Sequence, residues 1–261
     1  MKIGIFGAGH MGGAMIKGWI NSKQFDPSDI VVKGGSHKTA NELQKKLGFT
    51  LTDSIKDFLR CDIIYIAVNP SIVMTVITDL LPIVKEKQIP IVSISAGVTL
   101  AEMSVVLGPD YPLAHAIPNT PVQINKGTIG ISYQNQLVDN ARNLIDMSFN
   151  YLGKTIETNE DLLGIFGTLA GCGPAFVDVF MEALADGAVL HGMDRKTAYE
   201  VTARMVSSTA ELMIATSKHP GELKDQVTSP GGTTIKGVTA LEKNGFRFAA
   251  IDAIDTIMKT D

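Results

Sequence analysis

The sequence predicts an α/β protein: an N-terminal parallel sheet covered by helices on both faces over residues 1–158, then an all-α region over residues 159–261. Three observations carry this. Short β-branched runs alternate with amphipathic stretches through the first half, the pattern of a sheet buried on both faces. After about Asn159 only helical periodicity remains. A glycine-rich turn separates the first strand-like run from the first helix-like one.

The strand-like runs come at residues 3–6, 30–32, 63–68, 89–94 and 113–117. Between them, residues 11–20, 39–47, 55–59, 72–84 and 100–107 repeat apolar side chains at helical spacing. Residues 128–133 and 154–157 read as later strands flanking a helix at 138–151. The second part reads as helices at 162–169, 176–190, 198–215, 223–227, 234–242 and 246–258. These helices are rich in Ala, Met and Val, as in Ala203-Arg204-Met205-Val206. A helical domain of roughly 100 residues buries that much apolar surface poorly by itself. A homodimer through the helical region is expected, with a higher homo-oligomer as the alternative.

Composition narrows the function. Hydrophobic residues make up 45% and charged residues 19% of the 261, enough for a sizeable core. The net charge is -4 and no Lys/Arg run occurs, which argues against a nucleic-acid partner. Cys61 and Cys172 show no pairing motif, and with the histidines no metal-ligand spacing; no metal is expected and a reducing cytoplasm fits. No stretch is read as reaching the roughly 18–20 apolar residues that cross a bilayer. The chain opens directly into a strand-like run, without the pattern of a signal peptide. A cytoplasmic protein with no membrane partner is the expectation.

Gly7-Ala8-Gly9-His10-Met11-Gly12 lies between the first strand and the first helix, the context in which such a turn binds a dinucleotide. Gly7 permits the tight turn, Gly9 lets a pyrophosphate approach the backbone, and Gly12 lets helix and strand pack closely. The helix start offers free N–H groups to the anion. NAD-binding domains carry Asp or Glu after the second strand to hold the ribose 2′-hydroxyl. Here the chain reads Lys33-Gly34-Gly35-Ser36-His37-Lys38, with no carboxylate. Gly35, Ser36 and the two lysines are expected to receive a 2′-phosphate, so NADPH is the expected cofactor and NADH the alternative. Ligands in open α/β sheets bind at the C-terminal ends of strands. The candidate walls are therefore Ala67-Val68-Asn69-Pro70 and Ala96-Gly97.

A second loop of this kind comes late. In Thr228-Ser229-Pro230-Gly231-Gly232-Thr233-Thr234 two glycines stand just before an apolar periodic stretch. Amide donors at a helix start suit a small carboxylate.

Four segments together resemble the pyrroline-5-carboxylate reductase family over nearly the whole chain. They are the glycine loop, Pro118-Asn119-Thr120-Pro121, Gly171-Cys172-Gly173-Pro174-Ala175 with Glu182-Ala183-Leu184-Ala185-Asp186, and Leu223 to Thr234. The resemblance implies a Rossmann-like NAD(P)-binding domain and an all-α dimerisation domain. It implies hydride transfer from NADPH to the C=N bond of Δ1-pyrroline-5-carboxylate, giving L-proline. It implies that Ser229, Gly231, Gly232, Thr233 and Thr234 cradle the substrate carboxylate. Thr234, hydrogen-bonded to the ring nitrogen, would be the catalytic residue. Ser54 stands near a position where the family reaches the cofactor with asparagine.

The chain departs from the family pattern at Asn69, where lysine is usual, at His115, where arginine is, and at Cys172, where serine is. Three alternative readings stand beside the main one: an impaired paralogue that binds nucleotide, a reductase of a related cyclic imine, and a β-hydroxyacid dehydrogenase. The last class needs a catalytic lysine, and Lys196, Lys218, Lys224 and Lys236 lie outside its usual helix context. Glu182 and Asp186 share a helix face and read as capping or inter-helix polar residues.

Overall fold

The structure is a computed structural model that describes residues 1–35, 38–134 and 139–259. The chain divides into two compact units, Met1–Gly171 and Cys172–Asp261.

The first unit is built on one eight-stranded sheet. Its strands are β1 (Ile3–Phe6), β2 (Ile30–Lys33), β3 (Thr50–Leu51), β4 (Ile63–Ile66), β5 (Ile91–Ser93), β6 (Leu113–Ile117), β7 (Gly127–Tyr133) and β8 (Gly153–Glu157), in the order β3-β2-β1-β4-β5-β6-β7-β8. Five helices cross over it: α1 (His10–Asn21), α2 (Thr39–Leu47), α3 (Pro70–Lys87), α4 (Leu100–Leu107) and α5 (Asp139–Asn150).

Alternation along the strands explains the layering, because successive side chains point to opposite faces. Ile3 and Ile5, Ile30 and Val32, Ile63 and Tyr65 turn to one face, where α1, α2 and α5 bring Trp19, Ala40 and Phe149. Val31, Ile64 and Ile66 turn to the other, where α3 and α4 bring Val73, Ile77, Leu80 and Met103. The polar ends of the large aromatics are satisfied: Trp19 Nε1 donates to Ser148 O at 3.0 Å, and the Tyr65 hydroxyl meets Ser148 Oγ.

The parallel sheet expected from the sequence has one reversal. β7 runs antiparallel to β6, with Ala116 opposite Ile131. The connection is a short 3-10 turn, Thr120–Ile124, and a parallel return needs a longer crossover. α5 supplies one after β7, and β8 is accordingly parallel to β7. Residues 55–59, read as an α-helix, form a 3-10 helix, Ile55–Arg60. The two-residue β3 is too short to leave a periodic signal in the sequence.

The second unit follows a short helix, α6 (Leu163–Gly167), and a π-helical turn, Thr168–Cys172. Its helices are α7 (Gly173–Leu190), α8 (Arg195–Thr216), α9 (Pro220–Gln226), α10 (Thr233–Lys243) and α11 (Phe246–Met258). Arg195 at the start of α8 pairs with Asp186 of α7, the inter-helix role expected of that carboxylate. Among the described residues of this unit only Ala185, Ala198 and Thr202 are buried.

One expectation is corrected. The helical run Glu160–Leu190, 31 residues, is long and apolar enough to cross a membrane by length and composition. The sequence reading broke this run at Gly171-Cys172-Gly173-Pro174, whereas the π-helical turn carries it through. Asp178, Glu182 and Asp186 form an exposed carboxylate stripe along it, and such groups are costly in lipid.

Candidate cofactor and substrate loops

β1 ends in a turn that only glycine can make. Gly7 has φ +100, and a Cβ there would come within 2.2 Å of the Ala67 carbonyl oxygen. Its N–H donates to Lys33 O at 2.9 Å, tying the turn to the end of β2. A Cβ at Gly12 would lie 2.1 Å from Gly7 O, so α1 can start this close to β1 only without a side chain. Gly9 is different. It is the N-cap of α1, no side chain caps it, and nothing lies within 4 Å of where its Cβ would be. No acidic residue occupies the first turn of α1. The first N–H groups of this helix therefore face open space, as an anion site requires.

A groove of about 380 Å³ runs along this edge. It gathers six of the expected cofactor residues: Gly7, Ala8, Gly9, Gly35, Val68 and Asn69. His10 lines an adjoining hollow of about 240 Å³ with Lys17, Thr39 and Gln123. The lining of these two spaces does not include Met11, Gly12, Ser54, Ala67, Pro70, Ala96 or Gly97. Gly12 and Ala67 act from behind as the packing just described. Ala96 and Gly97 are exposed on the turn after β5, where Gly97 has φ +79. Ser54 is exposed beyond β3, its N–H donating to Thr52 Oγ1 at 3.0 Å. Ser36 lies outside the described residues.

The sequence reading missed the apolar floor of the groove, made by Ile72 and Val76 one turn apart on α3. Nothing in the sequence marks it: Ile72, 46% exposed, stands in the same apolar helix as the buried Val73, Ile77, Leu80 and Val84. It also missed Thr39 and Ala40 at the start of α2. Asn69 is the N-cap of α3: its Oδ1 accepts from Ser71 N at 3.1 Å and from Ser71 Oγ at 3.0 Å, which leaves its amide N–H groups over for the groove. Lys33 Nζ donates to Asp53 O at 2.8 Å, so its charge is held at the end of β2. An apolar floor, an open glycine edge and a cationic rim without a carboxylate fit an adenine dinucleotide.

In the second unit, α9 leads into the other glycine loop. Gly231 has φ +71, and Gly232 N–H donates to Ser229 O at 3.0 Å, closing a tight turn. Gly232 is the N-cap of α10, in extended geometry and with no side-chain cap. Thr233 and Thr234 are the first two residues of the helix, both exposed, and its first turn contains no acidic residue. A Cβ on Gly232 would lie 2.4 Å from Ser229 Oγ, so that hydroxyl sits directly over the turn. The structure thus brings all five expected substrate residues, Ser229, Gly231, Gly232, Thr233 and Thr234, to one uncapped helix start. α1 and α10 share this design in extended N-cap geometry; α11 also begins on an uncapped glycine, Gly245, but in the left-handed conformation, φ +73, whereas α3, α4 and α8 begin on the capping side chains of Asn69, Thr99 and Asp194.

Cys61 is buried far from both loops in sequence, and burial pushes its thiol up to about 12.

Such a fold and glycine edge define a nucleotide-dependent oxidoreductase. Residues 2–97 match the family model described as NADP oxidoreductase coenzyme F420-dependent, and residues 160–261 match that for pyrroline-5-carboxylate reductase dimerisation. A pyrroline-5-carboxylate reductase from Escherichia coli is 37% identical over 99% of this chain and 96% of its own length. One from Methanosarcina acetivorans is 35% identical over 97% of this chain and 94% of its own. The crystal structure of a Plasmodium falciparum pyrroline carboxylate reductase with NADP bound superposes with a TM-score of 0.86 at 26% identity, covering 100% of this chain and 96% of that one. The chain belongs to the pyrroline-5-carboxylate reductase family.

Proposed function

We propose that the protein reduces Δ1-pyrroline-5-carboxylate to L-proline with NADPH, the last step of proline biosynthesis, and that Ser229–Thr234 holds the substrate. One observation carries the site assignment. α10 begins on a bare glycine in extended geometry, with no side-chain cap and no acidic residue in its first turn, directly after the tight Ser229–Gly232 turn. Its positive end suits the carboxylate that distinguishes this substrate from a plain cyclic imine.

The chemistry asks little acid or base of the chain. A hydride adds to the imine carbon, the C=N π bond breaks, and a proton ends on the ring nitrogen. Bound NADPH supplies the hydride. An imine carbon is already electrophilic, so orientation and hydrogen bonding carry the task. The Thr234 hydroxyl both donates and accepts, and so serves the imine and the amine alike.

The open amides of α1 would hold the pyrophosphate, and Ile72 and Val76 the adenine. Lys33 and Lys38 favour NADPH over NADH. The dinucleotide-binding domain is drawn at residues 1–158 and the substrate-binding and dimerisation domain at 159–261, although the compact sheet unit extends through α6 to Gly171. The working form is a cytoplasmic homodimer through the helical domain, supported by the dimerisation match and by the bare apolar helices.

The test follows NADPH absorbance with and without the cyclic imine. Wild type should oxidise NADPH only when the imine is present, and Thr234→Ala should lower kcat about 100-fold with cofactor affinity kept. Unimpaired turnover in Thr234→Ala and Ser229→Ala would remove the loop from the reaction. NADPH binding without imine-dependent oxidation would give the groove another substrate.

A further inference from the structure

The turn between β5 and α4 is pinned at both ends by one pair of side chains, a buried His115 and a half-buried Glu160. His115 sits on β6, opposite Ser93 of β5, and is 5% exposed. Its Nε2 lies 3.1 Å from Ser95 O, where the turn begins. Its Nδ1 lies 2.9 Å from Glu160 Oε1. The same oxygen accepts from Leu100 N at 2.7 Å, where the turn ends and α4 begins. Ser95 in turn donates from its hydroxyl to Val68 O at 2.7 Å. Val68 lines the cofactor groove, and Ala96 and Gly97 are the exposed tip of the pinned turn.

We infer that His115, acting with Glu160, is a positioning residue for the wall of the cofactor groove at Val68 and the adjoining Ala96-Gly97 turn. This rests on the proposed reductase function. His115 is too buried to reach a ligand and acts through the backbone it holds. Gly97 gives the turn a glycine-only conformation, φ +79, with no contact within 4 Å of its Cβ position. Val98 of the same turn is buried in the core, so the exposed Ala96-Gly97 tip is set by Val98 behind it and by the two ends that His115 and Glu160 hold. Thr99 and Glu102 form a separate capping box on α4, which keeps the helix start intact when the pair is broken. Loss of the pair therefore loosens the turn without unfolding the helix behind it. Both ring nitrogens lie within hydrogen-bond distance of oxygens, Ser95 O and Glu160 Oε1, so the position favours a side chain with polar groups in two directions. Arginine supplies these and methionine supplies none.

Three variants test this: His115→Met, Glu160→Gln and His115→Arg. NADPH affinity is read by direct fluorescence titration without imine, and kcat and the two KM values from turnover. His115→Met should weaken NADPH binding and lower kcat by about 10-fold each, with KM for the imine within about twofold. Glu160→Gln should follow in the same direction by about threefold to fivefold, and His115→Arg should return both to within about threefold of wild type. A purely structural tie would lower the melting temperature and leave affinity and kcat of the folded protein unchanged; that result overturns the inference. An arginine variant as impaired as the methionine one overturns it too. If His115→Met does not fold, Glu160→Gln carries the same decision. Wild type that binds NADPH but leaves the imine untouched defeats the functional reading alone, because the titration needs no turnover. Wild type that binds no nicotinamide cofactor defeats both.

Discussion

The two units of this chain reach stability by opposite routes. Met1–Gly171 buries Trp19, Tyr65, Phe58 and Phe149 completely between a sheet and its helices. The helical unit leaves Val179 67%, Phe248 71%, Ile251 66% and Ile214 79% exposed. An apolar residue that faces its own sheet is core, and one that faces outward in a contiguous set is an interface in waiting. The difference teaches where each half of the function resides. The sheet unit carries an open glycine edge over an apolar groove, whereas the helical unit, which matches a dimerisation family model, carries its glycine loop on helices with bare apolar faces.

The largest effect should come from opposing association through those faces. Val179→Asp combined with Ile251→Asp places two unpaired charges on the bare faces, and a charge buried without a partner opposes association strongly. Light scattering should show a shift to monomer, and turnover should fall at least about 100-fold. A double variant that keeps its mass and activity would mean that these faces are solvent surface, and the contrast between the units would collapse.

Within the sheet unit, two glycines of the same loop separate folding from binding. Gly12→Ala meets a backbone oxygen at 2.1 Å that cannot step aside. It should cost about 1–3 kcal/mol of stability by chemical denaturation, and weaken NADPH binding with it. Gly9→Ala meets nothing, so its stability should stay within about 0.5 kcal/mol of wild type. Its methyl occupies the approach of the pyrophosphate, and NADPH affinity should fall about 10-fold by titration. Equal stability losses in the two variants would refute the geometry of the turn.

The helical unit has a matching experiment. Gly232→Ala drives a Cβ to 2.4 Å from Ser229 Oγ, and that hydroxyl must rotate off the turn. KM for the imine should rise about 10-fold while NADPH affinity holds. A fall in NADPH affinity of the same size would show that this loop does not act on the substrate alone.

How much of this could be read from residues follows the same contrast. The β-branched runs of β1, β4 and β6 and the GxGxxG turn were legible because local pattern and tertiary role agree there. The reversal at β7 was not, since strand direction is set by the length of the connection rather than by the strand. Val201, Leu212 and Ile214 read only as apolar, because helical periodicity cannot tell a core from an interface. The Ser229–Thr234 loop was legible as a helix start, and its lack of a capping side chain is a structural fact. Ile72 and Val76 were hidden because an apolar side chain on the floor of a groove looks, in sequence, like any other core position. His115 stood out in sequence only as a departure from the family pattern, and its role was not legible because its partners, Ser95 and Glu160, come from distant stretches of chain.

The smallest effect is the most specific to the helical unit. Without a core, α8 relies on local devices, among them its N-cap. Hydrogen bonds from the Thr197 hydroxyl and N–H hold the exposed Asp194 carboxyl below its ordinary 3.8. A folded-state value below the unfolded one means that folding favours the ionised form. The contribution is therefore complete above 3.8 and is lost as pH falls through the lower, folded value. Asp194→Asn keeps an acceptor for Thr197 N but has no charge to lose. The wild-type advantage in melting temperature should be steady near neutral pH and shrink towards zero below 3.8. It should also grow on dilution, because association stabilises the helices least when protein is scarce. A gap that ignores pH would assign the cap to the neutral hydrogen bond alone, and one that ignores dilution would show that α8 stands without the partner its exposed faces require.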